Sequence, residues 1–219
     1  MSDLSNSGVR SSRLLGLLKA PLLEKIDRCS SFYWYLVTQW LYRPQFGAIG
    51  KGARIIAPLK LSNVRFMHLG RSVLVHRNAW LFAARLPDGS VPKMTIQAGT
   101  IVGHFSHISC VNEVSIGSNV LIADKVHISD NSHSYEDVTR PIMEQSVVSK
   151  GPVSIGDGCW IGENVSILSC RIGRQSVIGA NAVVVRDVPE RCVVAGVPAR
   201  VIAKYCEESE RWERVARTS

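Results

Sequence analysis

The chain has 219 residues, of which 46% are apolar and 20% are charged. This composition is typical of a globular protein and excludes extensive disorder, because the chain has enough apolar side chains to form a core. The formal net charge of +8 favours an anionic partner. A nucleotide cofactor, a membrane surface and a nucleic acid all satisfy that requirement, and charge alone does not choose among them.

The cysteines predict a reducing compartment. Six are scattered along the chain without a C-x-x-C pair: Cys29, Cys110, Cys159, Cys170, Cys192 and Cys206. This spacing indicates neither a zinc site nor a disulfide framework. Reduced thiols in a cytoplasmic protein are therefore expected.

The first 45 residues are predicted to form an N-terminal helical and aromatic segment. Residues 1–12 are polar and expected to be disordered, and Ser11-Ser12 can cap a helix that continues to about Arg28, with Pro21 kinking or restarting it. Residues 29–42 carry no charge and are rich in aromatic side chains, but they are too few to span a bilayer. No signal peptide is predicted, because Lys19 and Glu24 interrupt the only apolar stretch that resembles one.

Two roles fit this segment. The aromatic run has Arg43 beside it and five basic residues upstream, so it can lie in a membrane interface; the five are Arg10, Arg13, Lys19, Lys25 and Arg28. Alternatively, the helices cover the open end of the domain that follows. The two roles are compatible.

A six-residue repeat dominates residues 46–189. An aliphatic residue returns at Ile116, Ile122, Ile128, Ile155, Ile161, Ile167, Ile172, Ile178 and Val184, and the repeat begins more weakly near Ile49. This period fits neither an α-helix nor an isolated strand and is typical of a parallel β-helix. Three hexapeptides would make one triangular coil of about eighteen residues.

Interruptions of the repeat predict where the solenoid departs from regularity. Residues 83–93 read as a turn-rich excursion, and residues 111–113 as a bulged corner. Ile167 and Ile172 are only five apart, which predicts a tightened corner. The largest break separates Ile128 from Ile155, so that about twenty-one residues leave the coil in a loop at residues 129–154. We expect the chemistry in this loop, because loops held by a rigid scaffold commonly carry it.

The register also places two histidines together. His107 and His127 precede inward residues of adjacent coils and should stack on the outer surface. Such a pair can share a metal, but no third ligand is evident, and a simple histidine ladder is the alternative. Residues 190–219 are expected to form a tail, with a short charged helix at residues 207–217.

His133 lies at the root of the ejected loop. A histidine there can reach solvent and act as a general base near neutral pH, although a loop histidine can equally be an ordinary surface residue. No serine or cysteine has an obvious base beside it, so a covalent nucleophile is not predicted.

Six segments in a fixed order resemble a known family. They are Ile128–Tyr135 (ISDNSHSY), Pro141-Ile142, Gly151–Gly162 (GPVSIGDGCWIG), Val177–Ala180 (VIGA), Val184–Pro189 (VVRDVP) and Ala195–Ile202 (AGVPARVI). This set resembles the hexapeptide-repeat acetyltransferases, in the maltose/galactoside and capsule or O-antigen branch. The resemblance implies an all-β solenoid, specifically a left-handed parallel β-helix, with N-terminal helices, an ejected active-site loop and a short C-terminal helix.

The same resemblance implies a site between the subunits of a homotrimer, with acetyl-CoA as co-substrate and no metal. His133 would be the general base. Residues matched to coenzyme binding are Trp160, Gly162, Ala180, Arg186, Arg200 and Lys204, and candidates for acceptor binding are Asp130, Asn131 and Tyr135. Positions that bind sugar in the galactoside branch fall on Gly103 and Val111, so the acceptor is not transferred from that branch.

These features predict an acetyl-CoA-dependent O-acetyltransferase that acts on a sugar hydroxyl of a surface-polysaccharide or lipid-linked precursor. Localisation is expected to be cytoplasmic, with peripheral contact at the inner face of the membrane, and no nucleic-acid partner is expected. N-acetylation of an amino sugar, serine acetylation, a metal-dependent carbonic anhydrase on the same solenoid and a non-catalytic scaffold are the alternatives.

Overall fold

The computed structural model describes residues 21–215 as one helical segment followed by a long parallel solenoid. Helix α1 spans Leu22–Leu36 and continues as a π-helical turn over Val37–Tyr42. In chain order the strands are β1 (Ala48–Ile49), β2 (Arg54–Ile55), β3 (Lys60–Ser62), β4 (Met67–Leu69), β5 (Leu74–Val75), β6 (Trp80–Ala83), β7 (Lys93–Ile96), β8 (Ile101–Val102), β9 (His107–Cys110), β10 (Glu113–Ile116), β11 (Leu121–Ile122), β12 (His127–Ser129), β13 (Asn131–His133), β14 (Val147–Ser149), β15 (Val153–Ile155), β16 (Trp160–Ile161), β17 (Ser166–Leu168), β18 (Arg171–Ile172), β19 (Val177–Ile178), β20 (Val183–Val184), β21 (Cys192–Ala195), β22 (Arg200–Cys206) and β23 (Arg211–Arg214).

The strands stack into three sheets, which are the three faces of a prism. Face A has the order β1-β4-β7-β10-β15-β18, and face C has the order β3-β6-β9-β12-β17-β20. Face B runs β2-β5-β8-β11-β16-β19 and is extended by β21, β22 and β23. Within the stack the strands are parallel, as the six-residue period predicts. The predicted parallel β-helix is therefore present.

The repeated aliphatic residues form the core. Ile116 pairs in register with Ile155, Ile122 with Ile161, and Ile128 with Ile167, so equivalent side chains stack from one coil to the next. Each of these six side chains is at most 2% exposed. At about 1.5–3 kcal/mol for each fully buried aliphatic side chain, these ladders are the main favourable term in folding.

The interruptions follow the predicted positions. Residues 84–92 leave the coil between β6 and β7, and residues 111–112 turn the corner between β9 and β10. At the tightened corner, Ser169 adopts a left-handed φ of 46° and its N–H donates to Ser129 O over 3.0 Å. The ejected loop is not irregular throughout, because β13 and β14 pair as an antiparallel hairpin; we call residues 130–152 the arm.

The N-terminal segment covers the first coil. Thr38 is fully buried, and its Oγ1 accepts from Ile55 N over 2.9 Å, while Gln39 Nε2 donates to Ala53 O over 3.0 Å. These bonds satisfy backbone groups at the open end of the solenoid, which is the cap that the sequence predicts. α1 begins directly after Pro21, and the expected helical and disordered parts of residues 1–20 lie outside the described residues.

The predicted C-terminal helix is wrong. β22 pairs antiparallel with β21, and β23 pairs antiparallel with β22, so the tail extends face B as a hairpin. Tyr205 and Trp212 are register partners whose rings make a T-shaped contact with centroids 5.6 Å apart. The free edge of face B and this ring pair outweigh the weak helix propensity of the charged tail. Residues 216 and 217 of the predicted helix lie beyond the described range.

Asp130 ties the arm to the coil below it. Its side chain is fully buried and accepts from Val111 N at 2.9 and 3.1 Å, from Asn112 N at 2.7 Å and from Asn131 Nδ2 at 2.9 Å. One carboxylate therefore satisfies the donors of the bulged corner at residues 111–112 and fixes the root of the arm.

We expect Asp130→Ala to lower the free energy of unfolding by about 1–3 kcal/mol, because it leaves buried N–H groups without an acceptor. Urea denaturation of the variant and the wild type measures this difference. Glu136→Ala, which removes an exposed acid from the same arm, is the control and should leave stability unchanged. Wild-type stability in the Asp130 variant would contradict the bracing role.

Candidate functional site

His133 is presented to solvent by an ordered arm. It ends β13, pairs in register with Val147 of β14 and is exposed. Ser134 N donates to Ser146 O over 2.9 Å, which extends the hairpin beyond the histidine. Within residues 21–215 no hydrogen-bond partner holds the imidazole, so both ring nitrogens can meet a substrate.

The three candidate acceptor residues differ in exposure. Asp130 is buried and its oxygens are used by the corner and by Asn131, so it positions the arm and does not face the solvent beside His133. Asn131 is half-buried and its Nδ2 donates to Ser109 Oγ over 2.9 Å. Tyr135 is 62% exposed, with Lys150 Nζ 5.3 Å from its ring centroid. Of the three, Tyr135 is the most accessible to a ligand.

Trp160 lies on the outside of face B. It is 52% exposed and stands in register between Leu121 and Val177. From β5 to β19 the outward positions of this face form an apolar row, which we call the face B row: Leu74, Ile101, Leu121, Trp160 and Val177. Trp160 is thus the widest flat surface in a row of aliphatic side chains.

Gly162 and Ala180 lie at the corner that follows face B. A Cβ on Gly162 would come within 2.6 Å of Ala180 N, so the close stacking of the two coils requires glycine there. Coil packing alone accounts for Gly162. Ala180 is exposed at the same corner, beside the coil that carries Trp160.

The three matched cations are not brought together. Arg200 and Lys204 are exposed on β22, at the edge that extends face B beyond Trp160. Arg186 is exposed at a different corner, between β20 of face C and Val188, which bridges to Ile172 of face A. Only Arg200 and Lys204 therefore share a sheet with Trp160.

His133 and Trp160 belong to different sides of the prism. The arm leaves the coil between β12 of face C and β15 of face A, whereas Trp160 points outward from face B. The predicted base and the predicted coenzyme wall therefore do not form one cleft within a single chain.

The predicted stacking of His107 and His127 is present. Their residues are register partners, and their ring centroids are 5.1 Å apart. Burial lowers the pKa of both histidines, and the neighbouring His127 lowers the pKa of His107 further. On its other side His107 stacks on Trp80 with centroids 4.2 Å apart, so its imidazole lies between an indole ring and a second imidazole. No group of three metal-binding side chains occurs in the described part of the chain.

A second histidine pair was not predicted. The rings of His76 and His104 stack with centroids 4.5 Å apart, and Asp124 Oδ1 lies 3.1 Å from His104 Nδ1. His104 and Asp124 each stand two residues after an inward residue of face B, so the hexapeptide register contained the signal for their contact. His76 stands one residue after Val75, so the register did not predict the histidine pair. Burial and the neighbouring His104 lower the pKa of His76.

The buried cysteines are poor nucleophiles. Burial raises the pKa of Cys110 to about 12 and that of Cys170 to about 11, and it also raises the pKa of Cys159 and Cys192. At neutral pH these four thiols are protonated and packed inside the coil. The described site thus offers a histidine and no activated thiol among these four.

Comparisons with known proteins give the family. The hexapeptide repeat of succinyl-transferase matches residues 152–186. Galactoside O-acetyltransferase of Escherichia coli K12 is 30% identical over 173 residues, which cover 78% of this chain and 70% of that protein. WbbJ of the same organism, assigned as a lipopolysaccharide biosynthesis O-acetyl transferase, is 38% identical over 52% of this chain. The chain spans about 61% of the length of WbbJ.

Among solved structures, AntD of Bacillus cereus, an N-acyltransferase, superposes with a TM-score of 0.63. Its sequence is 18% identical, and the match covers 79% of this chain and 92% of that chain. This likeness concerns the fold and confirms the left-handed parallel β-helix. Because it is 30% identical to galactoside O-acetyltransferase over 70% of that enzyme, the chain belongs to the hexapeptide-repeat acetyltransferases, in the branch that contains that enzyme.

Proposed function

We propose that this protein is an acetyl-CoA-dependent O-acetyltransferase that acts on a sugar hydroxyl, in a surface-polysaccharide or lipid-linked precursor. The observation that carries the proposal is the exposed His133 imidazole, held without a partner on an ordered arm in a chain related to galactoside O-acetyltransferase. The names of the relatives supply the substrate class, and the arm supplies the base.

His133 would act on the acceptor directly. Its unprotonated ring nitrogen takes the proton of the sugar hydroxyl as the oxygen attacks the thioester carbonyl. A tetrahedral intermediate forms, the C–S bond breaks, and the imidazolium returns its proton to the departing coenzyme A thiolate. No covalent enzyme intermediate is needed, in agreement with the raised pKa of the buried thiols.

The side chains of face B fit the co-substrate. When bound, acetyl-CoA supplies the activated acetyl group. Trp160 offers an exposed flat surface to the pantetheine arm, and Arg200 and Lys204 offer exposed cations to its phosphates. These three residues share one sheet, and Arg186 does not belong to it.

A homotrimer would complete the site. The arm and Trp160 lie on different sides of one prism, so they meet only if the arm of one copy faces the face B row of the next. A head-to-tail contact of this kind forms a ring with cyclic symmetry when the rotation between successive copies closes, and three copies would make the trimer. The exposed apolar side chains of the face B row, Leu121 and Trp160, give that contact its hydrophobic part.

His133→Ala is expected to lower turnover by about a hundredfold or more, because the general base is lost while the arm stays braced by Asp130. Initial rates of coenzyme A release with a saturating sugar acceptor measure this. Val138→Ala removes an apolar side chain that is 94% exposed on the same arm and should keep the wild-type rate. A near-normal rate in the His133 variant would remove this residue from the mechanism.

Product chemistry separates the alternatives. Labelled acetyl-CoA is incubated with nucleotide sugars and lipid-linked oligosaccharides, and products are identified by mass spectrometry. An ester that mild alkali removes indicates O-acetylation, whereas an alkali-stable amide on an amino sugar would establish the N-acetyl alternative. Coenzyme binding without any product would favour a scaffold.

Mixing a His133 variant with a Trp160 variant tests the shared site. Chains with His133→Ala and chains with Trp160→Ala are co-expressed with different tags, and mixed trimers are purified through both. If each site takes its histidine and its tryptophan from different chains, every mixed trimer has both wild-type residues in one of its three sites, so about a third of the sites are restored. Activity that stays at the level of the separate variants would contradict the shared site.

We also propose peripheral membrane contact through α1. Exposed apolar side chains recur at helical spacing along α1 and the π-helical turn that follows it, on the side away from the solenoid. This outer stripe comprises Leu22, Ile26, Tyr33 and Leu36 of α1 and Trp40 of the π-helical turn. Thr38, on the other side, is the buried residue that bonds to Ile55. No helix among residues 21–215 is long and apolar enough to cross a bilayer. An amphipathic helix lying at the interface, on the cytoplasmic face, fits these observations.

Liposome flotation of the full chain, an N-terminally truncated chain and an Ile26→Ser/Trp40→Ser variant tests this contact. We expect the serine variant to bind about tenfold more weakly, because two apolar side chains lose their burial in lipid. A Val138→Ser/Met143→Ser variant removes similar exposed side chains from the arm and serves as control. Equal and negligible flotation of the full and truncated chains would contradict the proposed membrane contact.

A further inference from the structure

An open cleft lies between α1 and the first two coils of the solenoid. Its volume is about 490 Å³. Arg28, Ser31 and Tyr35 line it from the helix, while Arg54 and Ser72 line it from the solenoid. Two guanidinium groups and three hydroxyl groups converge there, and none of its lining side chains is acidic. We call it the arginine cleft.

The arginines that clamp α1 are bonded to neutral groups. Arg54 Nη1 donates to Ser31 Oγ over 2.6 Å, and one coil further Arg77 Nη2 donates to Ser30 Oγ over 2.8 Å. Within residues 21–215 no carboxylate lies within 4.0 Å of the Arg28, Arg54 or Arg77 guanidinium groups. Three positive charges therefore stand at this end of the molecule without a paired anion.

The charges of Arg54 and Arg77 also act on a neighbouring histidine. The pKa of His76 is lowered mainly by burial and by His104, and the charges of Arg54 and Arg77 lower it further. Asp124 opposes this shift, but it is hydrogen-bonded to His104 and lies outside the lining of the cleft. A positive field focused into a cleft raises the local concentration of anions.

The donors suit a phosphate ester. Guanidinium groups bind phosphate oxygens through paired N–H donors, and Arg54 keeps free N–H groups after bonding to Ser31. The hydroxyl groups of Ser31, Ser72 and Tyr35 are further donors. The cleft also has room for a headgroup beyond the phosphate itself.

The apolar outer stripe indicates that the phosphate bound in the cleft belongs to a membrane lipid. Phe32, which is 62% exposed, also lines the cleft, and Tyr33 and Leu36 of the outer stripe lie close to it along the helix. A helix that rests on a bilayer through this stripe would hold its cleft at the level of the lipid phosphates. We propose that the arginine cleft binds the phosphate group of an anionic lipid headgroup, an inference that rests on the membrane contact proposed above.

Monomeric dihexanoyl phosphatidylglycerol tests the cleft without a membrane. Calorimetric titration of the full chain is compared with Arg28→Gln, Arg54→Gln and Arg214→Gln. The first two should bind about tenfold more weakly, since each loses charge-assisted bonds to phosphate. Arg214→Gln makes the same change of charge at an exposed residue of β23 and should change affinity less than about twofold. Arg28 anchors no other described residue, so its variant also controls for loosening of α1.

The titration and flotation results together support or contradict the lipid-phosphate site. Equal weakening by all three variants would show diffuse charge attraction and overturn the cleft. Binding of glycerol 3-phosphate as tight as that of the short-chain lipid would overturn the lipid as its source. Arginine-dependent binding of the short-chain lipid supports the cleft even if flotation fails, whereas arginine-independent flotation supports only the membrane contact. Acetyl transfer to a soluble acceptor should stay unchanged in both cleft variants, so a failure of the acetyltransferase proposal is seen separately.

Discussion

Stacking of identical backbone positions on successive coils is the constraint on which the structure depends. Each strand bonds to the equivalent strand of the next coil, about 4.8 Å away, so a residue's register position fixes both its face and its depth. The inward ladder through Ile116 and Ile155 tolerates no slip, because a shift of one residue would turn the apolar row outward. The β-helix is therefore rigid, and the register fixes the position of each side chain on it.

The proposed general base lies where the β-helix is interrupted. The arm leaves after β12, and the buried Asp130 carboxylate satisfies the corner of the coil below as well as the root of the arm. A flexible loop of this length would let His133 sample many orientations, at a cost in entropy for each encounter. The β13–β14 hairpin and the Asp130 bonds remove much of that freedom before a substrate arrives.

The sequence predicts the structure correctly where the six-residue period determines the position of a feature. The period located the core, the arm and the His107–His127 stack, because each follows from register alone. Turn-forming residues located the excursion, which was predicted at residues 83–93 and lies at residues 84–92. The period failed at β23, where the free edge of face B competes with local helix propensity. It also missed the burial of Asp130 and the arginine cleft, because both depend on side-chain contacts that the repeat does not set, from Asp130 to the bulged corner and from Arg54 to α1.

The three outer faces differ in chemistry, and that difference bears on assembly. The outward row of face A is polar, with His68, Thr95, Ser115, Ser154 and Arg171, whereas the face B row is apolar up to Val177. Face C carries the Trp80–His107–His127 stack. In an isolated subunit the apolar row on face B is exposed to water and contributes no stabilisation. Covering the face B row with the arm of another copy would bury Leu121 and Trp160 and leave face A in solvent, which is the arrangement that a site shared between subunits requires.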